Sequence, residues 1–331
     1  MRVLVTGGAG FIGTHLCRRL LSEGHDVTVV DNESNSTRDH LPKELTFHKV
    51  DVADPEALEP VFAVGVDAVC HIAGQVSIIR SFSDPAADLK TNVEGTLRVV
   101  QACVRHRVKR LLYASSMTIY GDCQTIPTPE EEPCKPDSYY GITKFAAERY
   151  VHATAIRPDL DFDFRVTSLR MFSVYGPGQS FSNPYQGVLG IFLGNLLRGE
   201  PITIFGDGEQ TRDFVFIGDI VDGWYRALVN PDAVGIMNLG SGRSLSINEL
   251  ADKVLAAFGH SRATYPVHHA PGRPGEQRRV QADIAVAKER LKWEAGTSFE
   301  AGLKRTAAWA QSEFSVSANG QDRDIRDRAE V

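Results

Sequence analysis

Thr6-Gly7-Gly8-Ala9-Gly10-Phe11-Ile12-Gly13 follows the short apolar run Arg2-Val3-Leu4-Val5 and opens an amphipathic stretch. Glycines at positions 7, 10 and 13 permit a tight strand-to-helix turn, close passage of a pyrophosphate over the backbone and close helix–strand packing. The phosphates then meet the free N–H groups and the positive dipole end of the helix. The context supports this dinucleotide cradle over a ligand-free glycine turn, because Asp31 ends the next strand about 20 residues on. A carboxylate there accepts from the adenosine ribose hydroxyls and repels a 2′-phosphate, which favours NAD over NADP. Arg38 nearby leaves NADP open.

Working outward, β-branched runs alternate with amphipathic helical stretches, the pattern of βα units winding a parallel sheet. Strands are predicted at Arg2 to Val5, Asp26 to Val30, Thr46 to Lys49, Ala68 to Ile72, Arg110 to Ala114 and Phe164 to Arg170. Helices are predicted to begin near Gly10, Pro55, Asp88 and Tyr139. The fold class is therefore α/β, a Rossmann-type doubly wound parallel sheet with a smaller C-terminal α/β lobe for the substrate. Residues 1–175 form the dinucleotide-binding domain, with a return segment at about 213–240. Residues 176–314 form the interleaved substrate lobe, including an apolar helix from about Val188 to Leu197. Residues 315–331 are polar and read as a frayed tail unable to offset its ordering entropy.

Tyr140-Gly141-Ile142-Thr143-Lys144 places a phenol and an ammonium four apart on one helix face. A free tyrosine, with a pKa of about 10, is a poor base at neutral pH, but a lysine ammonium and an oxidised nicotinamide both stabilise its phenolate. Alone, this spacing is a frequent accident of surface helices. The buried run Leu111-Leu112-Tyr113-Ala114-Ser115-Ser116-Met117-Thr118 changes its weight, because it delivers hydroxyls to the carboxyl end of a strand, where open α/β sheets bind ligands. Such a hydroxyl can relay a proton to Tyr140. The alternative is that Ser115 and Ser116 satisfy turn backbone.

These motifs, with Asp31-Asn32, Asp51-Val52, His71-Ile72-Ala73-Gly74 and Arg170-Met171-Phe172-Ser173-Val174-Tyr175-Gly176-Pro177-Gly178, resemble the extended short-chain dehydrogenase/reductase family over about residues 1 to 310. The chain is most similar to its NAD-dependent nucleotide-sugar epimerases of the UDP-glucose/UDP-galactose 4-epimerase type. The resemblance implies Ser116, Tyr140 and Lys144 as the catalytic set, with Thr118 as the fallback hydroxyl in place of Ser116. It implies NAD contacts at Gly7, Gly10, Phe11, Ile12 and Gly13, then at Asp31, Asn32, Asn35, Ser36, Asp51 and Val52. It further implies NAD contacts at Ala73, Gly74, Gln75, Asn92, Ser115, Tyr140, Lys144 and Phe172, with Asn92 supporting the turn beneath the nicotinamide side. For a UDP-sugar it implies Ser116, Thr118, Tyr140, Ser173 and Val188, with Thr203, Phe205, Arg212 and Phe214 around the nucleotide-binding loop, and Arg273, Glu276 and Val280 beyond it. Two arginines suit a diphosphate held across a cleft. Ser173 stands where these epimerases usually carry an asparagine, and the small Val280 falls where a bulky residue excludes N-acetyl groups, which keeps UDP-N-acetylglucosamine open beside UDP-glucose.

The implied reaction is epimerisation at C4 through a 4-keto sugar. The competing reading is a lyase, a 4,6-dehydratase or a UDP-glucuronate decarboxylase, which needs a further acid/base pair; relatives of that kind place Asp-Glu after the catalytic hydroxyl, where this chain has Met117, Thr118 and Ile119. A non-catalytic NAD-sensing role is opposed by the intact Tyr–Lys pair. The net charge of −6 offers no electrostatic reason to expect nucleic acid or an anionic membrane. The five cysteines form no CxxC and read as reduced thiols, and the absence of a signal h-region or a long apolar run makes a cytoplasmic enzyme the expectation. His71 reads as a locally bonded strand residue, and His268-His269 lack metal-ligand spacing, so no metal is implied. A homodimer packed through the helices around Asp88 to His106 and Tyr139 to Ala155 follows from the resemblance.

Overall fold

A computed structural model describes residues 1–181, 187–272 and 277–319. In chain order the first half runs β1 (Arg2–Thr6), α1 (Phe11–Ser22), β2 (Asp26–Asp31), β3 (Thr46–Lys49), α2 (Pro55–Ala63), β4 (Ala68–His71), α3 (Ile78–Ser83), α4 (Pro85–Leu89), α5 (Gly95–Arg105), β5 (Arg110–Ser116), α6 (Tyr139–Ala155) and β6 (Arg165–Met171). The second half runs β7 (Ser173–Tyr175), α7 (Val188–Arg198), β8 (Ile202–Phe205), β9 (Thr211–Arg212), β10 (Phe214–Phe216), α8 (Ile217–Val229), β11 (Gly235–Leu239), β12 (Leu245–Ser246), α9 (Ile247–Ala257), β13 (Val267–Ala270), α10 (Ala285–Leu291) and α11 (Phe299–Asn319).

Seven strands form one parallel sheet in the order β11-β6-β5-β4-β1-β2-β3. Its central strands β1, β4 and β5 read as apolar runs because both faces are covered and successive side chains point to opposite sides. Val3, Val5, Cys70, Leu112 and Leu169 pack on one face against Leu16 and Leu20 of α1 and Ile220 and Trp224 of α8. Leu4, Val30, Val69, Leu111 and Val166 pack on the other against Phe62 of α2, Val99 and Cys103 of α5, and Ala147 and Val151 of α6. The six predicted strands are present with ends shifted by a residue or two, and the return segment contributes β11 at the sheet edge. The helix predicted near Asp88 is instead a succession: α3, α4, a π turn at Lys90–Glu94, then α5. Proline at the start of α4, capped by the Asp84 carboxylate on Ala87 N–H, restarts the helix earlier than hydrophobic spacing suggests.

Three small ladders build the second lobe: β7 with β10, β8 with β13, and β9 with β12. α11 continues to Asn319, past the expected boundary at Ser315, since extending a formed helix adds a hydrogen bond per residue. Residues 320–331, the rest of that stretch, lie outside the described residues. Among the described residues no helix is long and apolar enough to cross a membrane.

The chain turns from β3 back across the sheet to β4, so the direction of winding reverses between β1 and β4. That reversal leaves a crevice at the carboxyl ends of the strands.

Candidate active site

One cleft of about 1140 Å³ occupies that crevice and extends under the second lobe. Its floor begins at the β1–α1 turn. Gly7 has φ +70°, and a Cβ there would stand 2.6 Å from Ala73 N, so only glycine lets the turn lie against β4's exit. A Cβ on Gly13 would run into Gly7 O, whereas one on Gly10 would meet only Gly7 O at 3.3 Å and otherwise project into the open groove. α1 starts with no side-chain cap and no acidic residue in its first turn. Its amides are therefore available to a pyrophosphate, and these residues fit a dinucleotide.

At the far end of the groove Asp31 is buried, accepting from Ala9 N–H (3.1 Å), Glu33 N–H (2.8 Å) and the Ser36 hydroxyl (3.5 Å). Burial holds its carboxyl above the usual range, and those backbone donors partly offset the effect. Asn32 donates to Asp51 at 3.2 Å, which joins the ends of β2 and β3 into one wall carrying Val52, Asn35 and Ser36. Arg80 of α3, not singled out from sequence, lines the same wall and donates to Asn35 at 3.4 Å.

The chemical end is built on β5 and α6. Ser138 caps α6 by accepting from Gly141 N–H (3.1 Å), and the four-residue period turns Tyr140, Lys144, Glu148 and Val151 inward. Ser116 caps a short 3₁₀ turn, and its Oγ accepts from Thr118 N–H (3.3 Å) and the Thr118 hydroxyl (3.0 Å). The Ser116 hydroxyl also faces the Tyr140 phenol on the cleft wall. Burial pushes that phenol up to about 12, and the nearby Ser116 hydroxyl pulls it back. Lys144 is buried with Nζ 4.5 Å over the Tyr113 ring, and desolvation lowers it to about 8, opposed by Asp88 and Glu148. Burial outweighs the phenolate stabilisation expected from the lysine within the protein alone.

Ser115 faces the cleft, yet its hydroxyl donates to Glu148 Oε2 at 2.6 Å. Ile12, Phe11, Ala73, Gly74, Gln75 and Phe172 line the cleft on the cofactor side. Ser173, Val188, Thr203, Phe205, Arg212 and Phe214 line it on the other. Arg212 donates to Gln277 O (2.8 Å), which steadies the loop that carries it. Two expected residues stand behind the wall: Asn92 and Lys144 support the Gln75 and Gly74 turn. Val280 is buried with Ile119, Tyr120, Phe172 and Ala282, off the cleft surface. Arg273 and Glu276 lie outside the described residues.

His71 locks the layer beneath. The Thr96 hydroxyl donates to Asn92 O (2.6 Å), so it accepts from His71 Nε2 (3.0 Å), and His71 Nδ1 accepts from the Thr6 hydroxyl (2.6 Å). Complete burial, with Lys144 nearby, lowers the imidazole to about 3. Between that value and the unfolded value of about 6.5 the unfolded chain binds a proton the native one refuses, so stability falls as pH drops through this window. His15 and His152 are also lowered by burial and act in the same direction. Urea titrations at pH 7 and pH 5 should show the parent losing about 2 kcal/mol more than His71→Asn between those pH values. Among the described residues no group of three or more His, Cys, Asp or Glu could hold a metal ion.

The model of the NAD dependent epimerase/dehydratase family matches residues 3–240. The UDP-glucose 4-epimerase of Mycolicibacterium smegmatis is 35% identical, with 92% of this chain and 97% of that protein covered. UDP-glucuronic acid decarboxylase 1 of Xenopus tropicalis is 32% identical over 97% of this chain and 74% of that protein. The crystal structure of the Thermotoga maritima UDP-glucose 4-epimerase with UDP-glucose superimposes with a TM-score of 0.88 at 36% identity, covering 95% of this chain and 99% of that one. A glycine turn open to a pyrophosphate, an acidic end to β2, and Ser116 and Tyr140 on one cleft wall with Lys144 buried behind it agree with these likenesses: the chain belongs to the NAD dependent epimerase/dehydratase family.

Proposed function

We propose that this enzyme inverts C4 of a UDP-hexose. The observation that carries the reading is the placement of the Ser116–Tyr140 pair on the inner wall of a cleft that is continuous from Asp31 to Arg212. Tyr140 Oη takes the proton of the sugar 4-hydroxyl, while Ser116, backed by Thr118, holds the same oxygen. Bound NAD, held by the glycine turn at Gly7, Gly10 and Gly13 and by Asp31, would supply reversible hydride exchange at C4 and a positive charge favouring the Tyr140 phenolate. No net oxidation results, because the proton and hydride both go back. Arg212 anchors the diphosphate while the hexose turns over.

The carboxylates lining the cleft among the described residues are Asp31 and Asp51, both at the adenosine end. A lyase needs acid/base groups beside C5 and C6, and the Met117–Ile119 turn supplies none. This weighs against dehydration despite the decarboxylase relative.

The test is incubation of purified protein, without added cofactor, with UDP-glucose, UDP-galactose, UDP-N-acetylglucosamine and UDP-glucuronate separately, followed by NMR. A C4-epimer mixture reached from both directions supports the reading and names the sugar. A keto-deoxy sugar or a pentose product rejects it.

A homodimer is part of the same proposal. Phe82 (56% exposed), Leu89 (55%), Tyr139 (46%) and Ile142 (48%) stand out on α3, α4 and α6, too much apolar surface for helices facing water. Light scattering should return twice the chain mass, and Leu89→Lys should lower it. The free thiols of all five cysteines accord with a reducing, cytoplasmic setting.

A further inference from the structure

Asp88 of α4 is a carboxylate, 1% exposed, in the layer directly behind the catalytic wall. Oδ1 accepts from Gln75 Nε2 (2.6 Å) and Asn92 Nδ2 (3.2 Å), and Oδ2 accepts from the Thr143 hydroxyl (2.6 Å). Asn92 is oriented by its neighbours: Oδ1 accepts from Gln75 N–H (2.8 Å) and Nδ2 also reaches Thr143 Oγ1 (3.2 Å). Gln75 thereby ties the β4 exit turn to α4, and Thr143 ties α4 to α6 between Tyr140 and Lys144. Asp88 has no ion-pair partner at salt-bridge distance among the described residues, and all these donors are neutral.

The buried cation beside it is Lys144. Its surroundings are the Tyr113 ring from β5, the neutral His71 from β4, the Gly74 turn, and Glu148 one helical turn along α6. Glu148 is already committed: Arg170 of β6 holds it at 2.6 Å in a pair that is almost wholly buried. Asp88 is the other buried carboxylate of this layer, bonded at 2.6 Å to Thr143 in the helical turn that carries Tyr140 and Lys144, and its Asn92 partner shares the Gly74 turn with Lys144 Nζ.

We propose that Asp88 is a positioning residue of the reaction: it anchors the Gln75–Asn92–Thr143 layer and supplies the counter-charge that keeps the Lys144 ammonium in place beside Tyr140. It touches neither sugar nor cofactor and acts through the lysine. The proposal rests on Tyr140 taking the sugar's proton as proposed above, with Lys144 as the cation that favours its phenolate.

A carboxylate at this point favours protonated Lys144 and also protonated Tyr140. Its removal therefore makes the lysine easier to deprotonate and the phenolate easier to form, and both limbs of the pH–rate profile move to lower pH. Asp88→Asn keeps the shape: its amide nitrogen can face Thr143, whose hydroxyl then turns to Tyr140 O at 3.1 Å. Thr143→Val removes a hydrogen bond and leaves the charge.

The experiment is the pH–rate profile of epimerisation, paired with titration of tyrosinate absorbance in NAD-loaded protein without sugar. For Asp88→Asn both limbs and the tyrosinate midpoint should move down by about one pH unit, making the variant roughly tenfold slower at a fixed pH on the alkaline limb. Thr143→Val should leave their positions unchanged. Asp88→Ser, smaller and uncharged, is the second variant and should move the limbs as Asp88→Asn does. Limbs left in place in whichever Asp88 variant folds, or an equal shift in Thr143→Val, overturn the proposal. Parent protein that shows a tyrosinate midpoint responding to Asp88 but turns over none of the sugars counts against the proposed substrate alone.

Discussion

Tyr140→Phe is expected to lower turnover roughly 10²- to 10⁴-fold while leaving the fold and the bound dinucleotide in place. The phenol ring is 8% exposed and contributes packing that phenylalanine reproduces, so the change removes the hydroxyl and little else. That hydroxyl faces Ser116 on the cleft wall and is the group proposed to take the sugar's proton. Ser116→Ala should cost less, because Thr118 is 3.0 Å from Ser116 Oγ and can in part take over its donor role. Bound NAD released by acid denaturation and the circular dichroism spectrum should match the parent in both variants. A Tyr140→Phe protein that epimerises at the parent rate would remove Tyr140 from the mechanism.

Glu148→Leu is expected to destabilise the fold by about 3–5 kcal/mol, the largest stability effect of the single changes considered. Glu148 and Arg170 are 0% and 2% exposed and are joined by two contacts, at 2.6 and 3.1 Å. Removing the carboxylate strands a guanidinium between α6 and β6, with Tyr120 Oη (2.9 Å) and Glu130 O (2.9 Å) as neutral partners only. The Ser115 hydroxyl loses its acceptor in the same step. Glu148→Leu combined with Arg170→Met should recover much of the loss, since neither partner then leaves a buried charge unpaired. Urea denaturation of the two single variants and the pair measures this. Equal stability of parent and Glu148→Leu would show that the pair contributes nothing.

The sheet was legible because its central parallel strands, β1, β4 and β5, are buried on both faces and write themselves as apolar runs, while the edge strand β3, Thr46–Lys49, carries no buried residue. α6 was legible for a similar reason, its inward face recurring at Tyr140, Lys144 and Glu148. The interval between Ile78 and Glu94 was not, because α3, α4 and the π turn are too short to show a period, and their breaks depend on Ser77, Asp84 and Pro85 caps. Asp88 was passed over although it stands four residues before Asn92 on one helical face. Nothing local distinguishes a buried aspartate from the solvated ones that outnumber it.

By itself the sequence determined the glycine turn of the dinucleotide cradle, the acidic end of β2 and the four-residue spacing of Tyr140 and Lys144, since each is a short pattern whose geometry follows from the backbone within a few residues, whereas Ser116 came from the family resemblance. Only the tertiary structure decided that Ser115 serves Glu148, that Val280 packs behind Phe172, that Arg80 reaches Asn35, and that Asp88 stands beside Lys144 while Arg170 claims Glu148. Those pairings join residues brought together by the order of strands in the sheet. Which charges share a buried space depends on that long-range packing, and no period or motif along the chain records it.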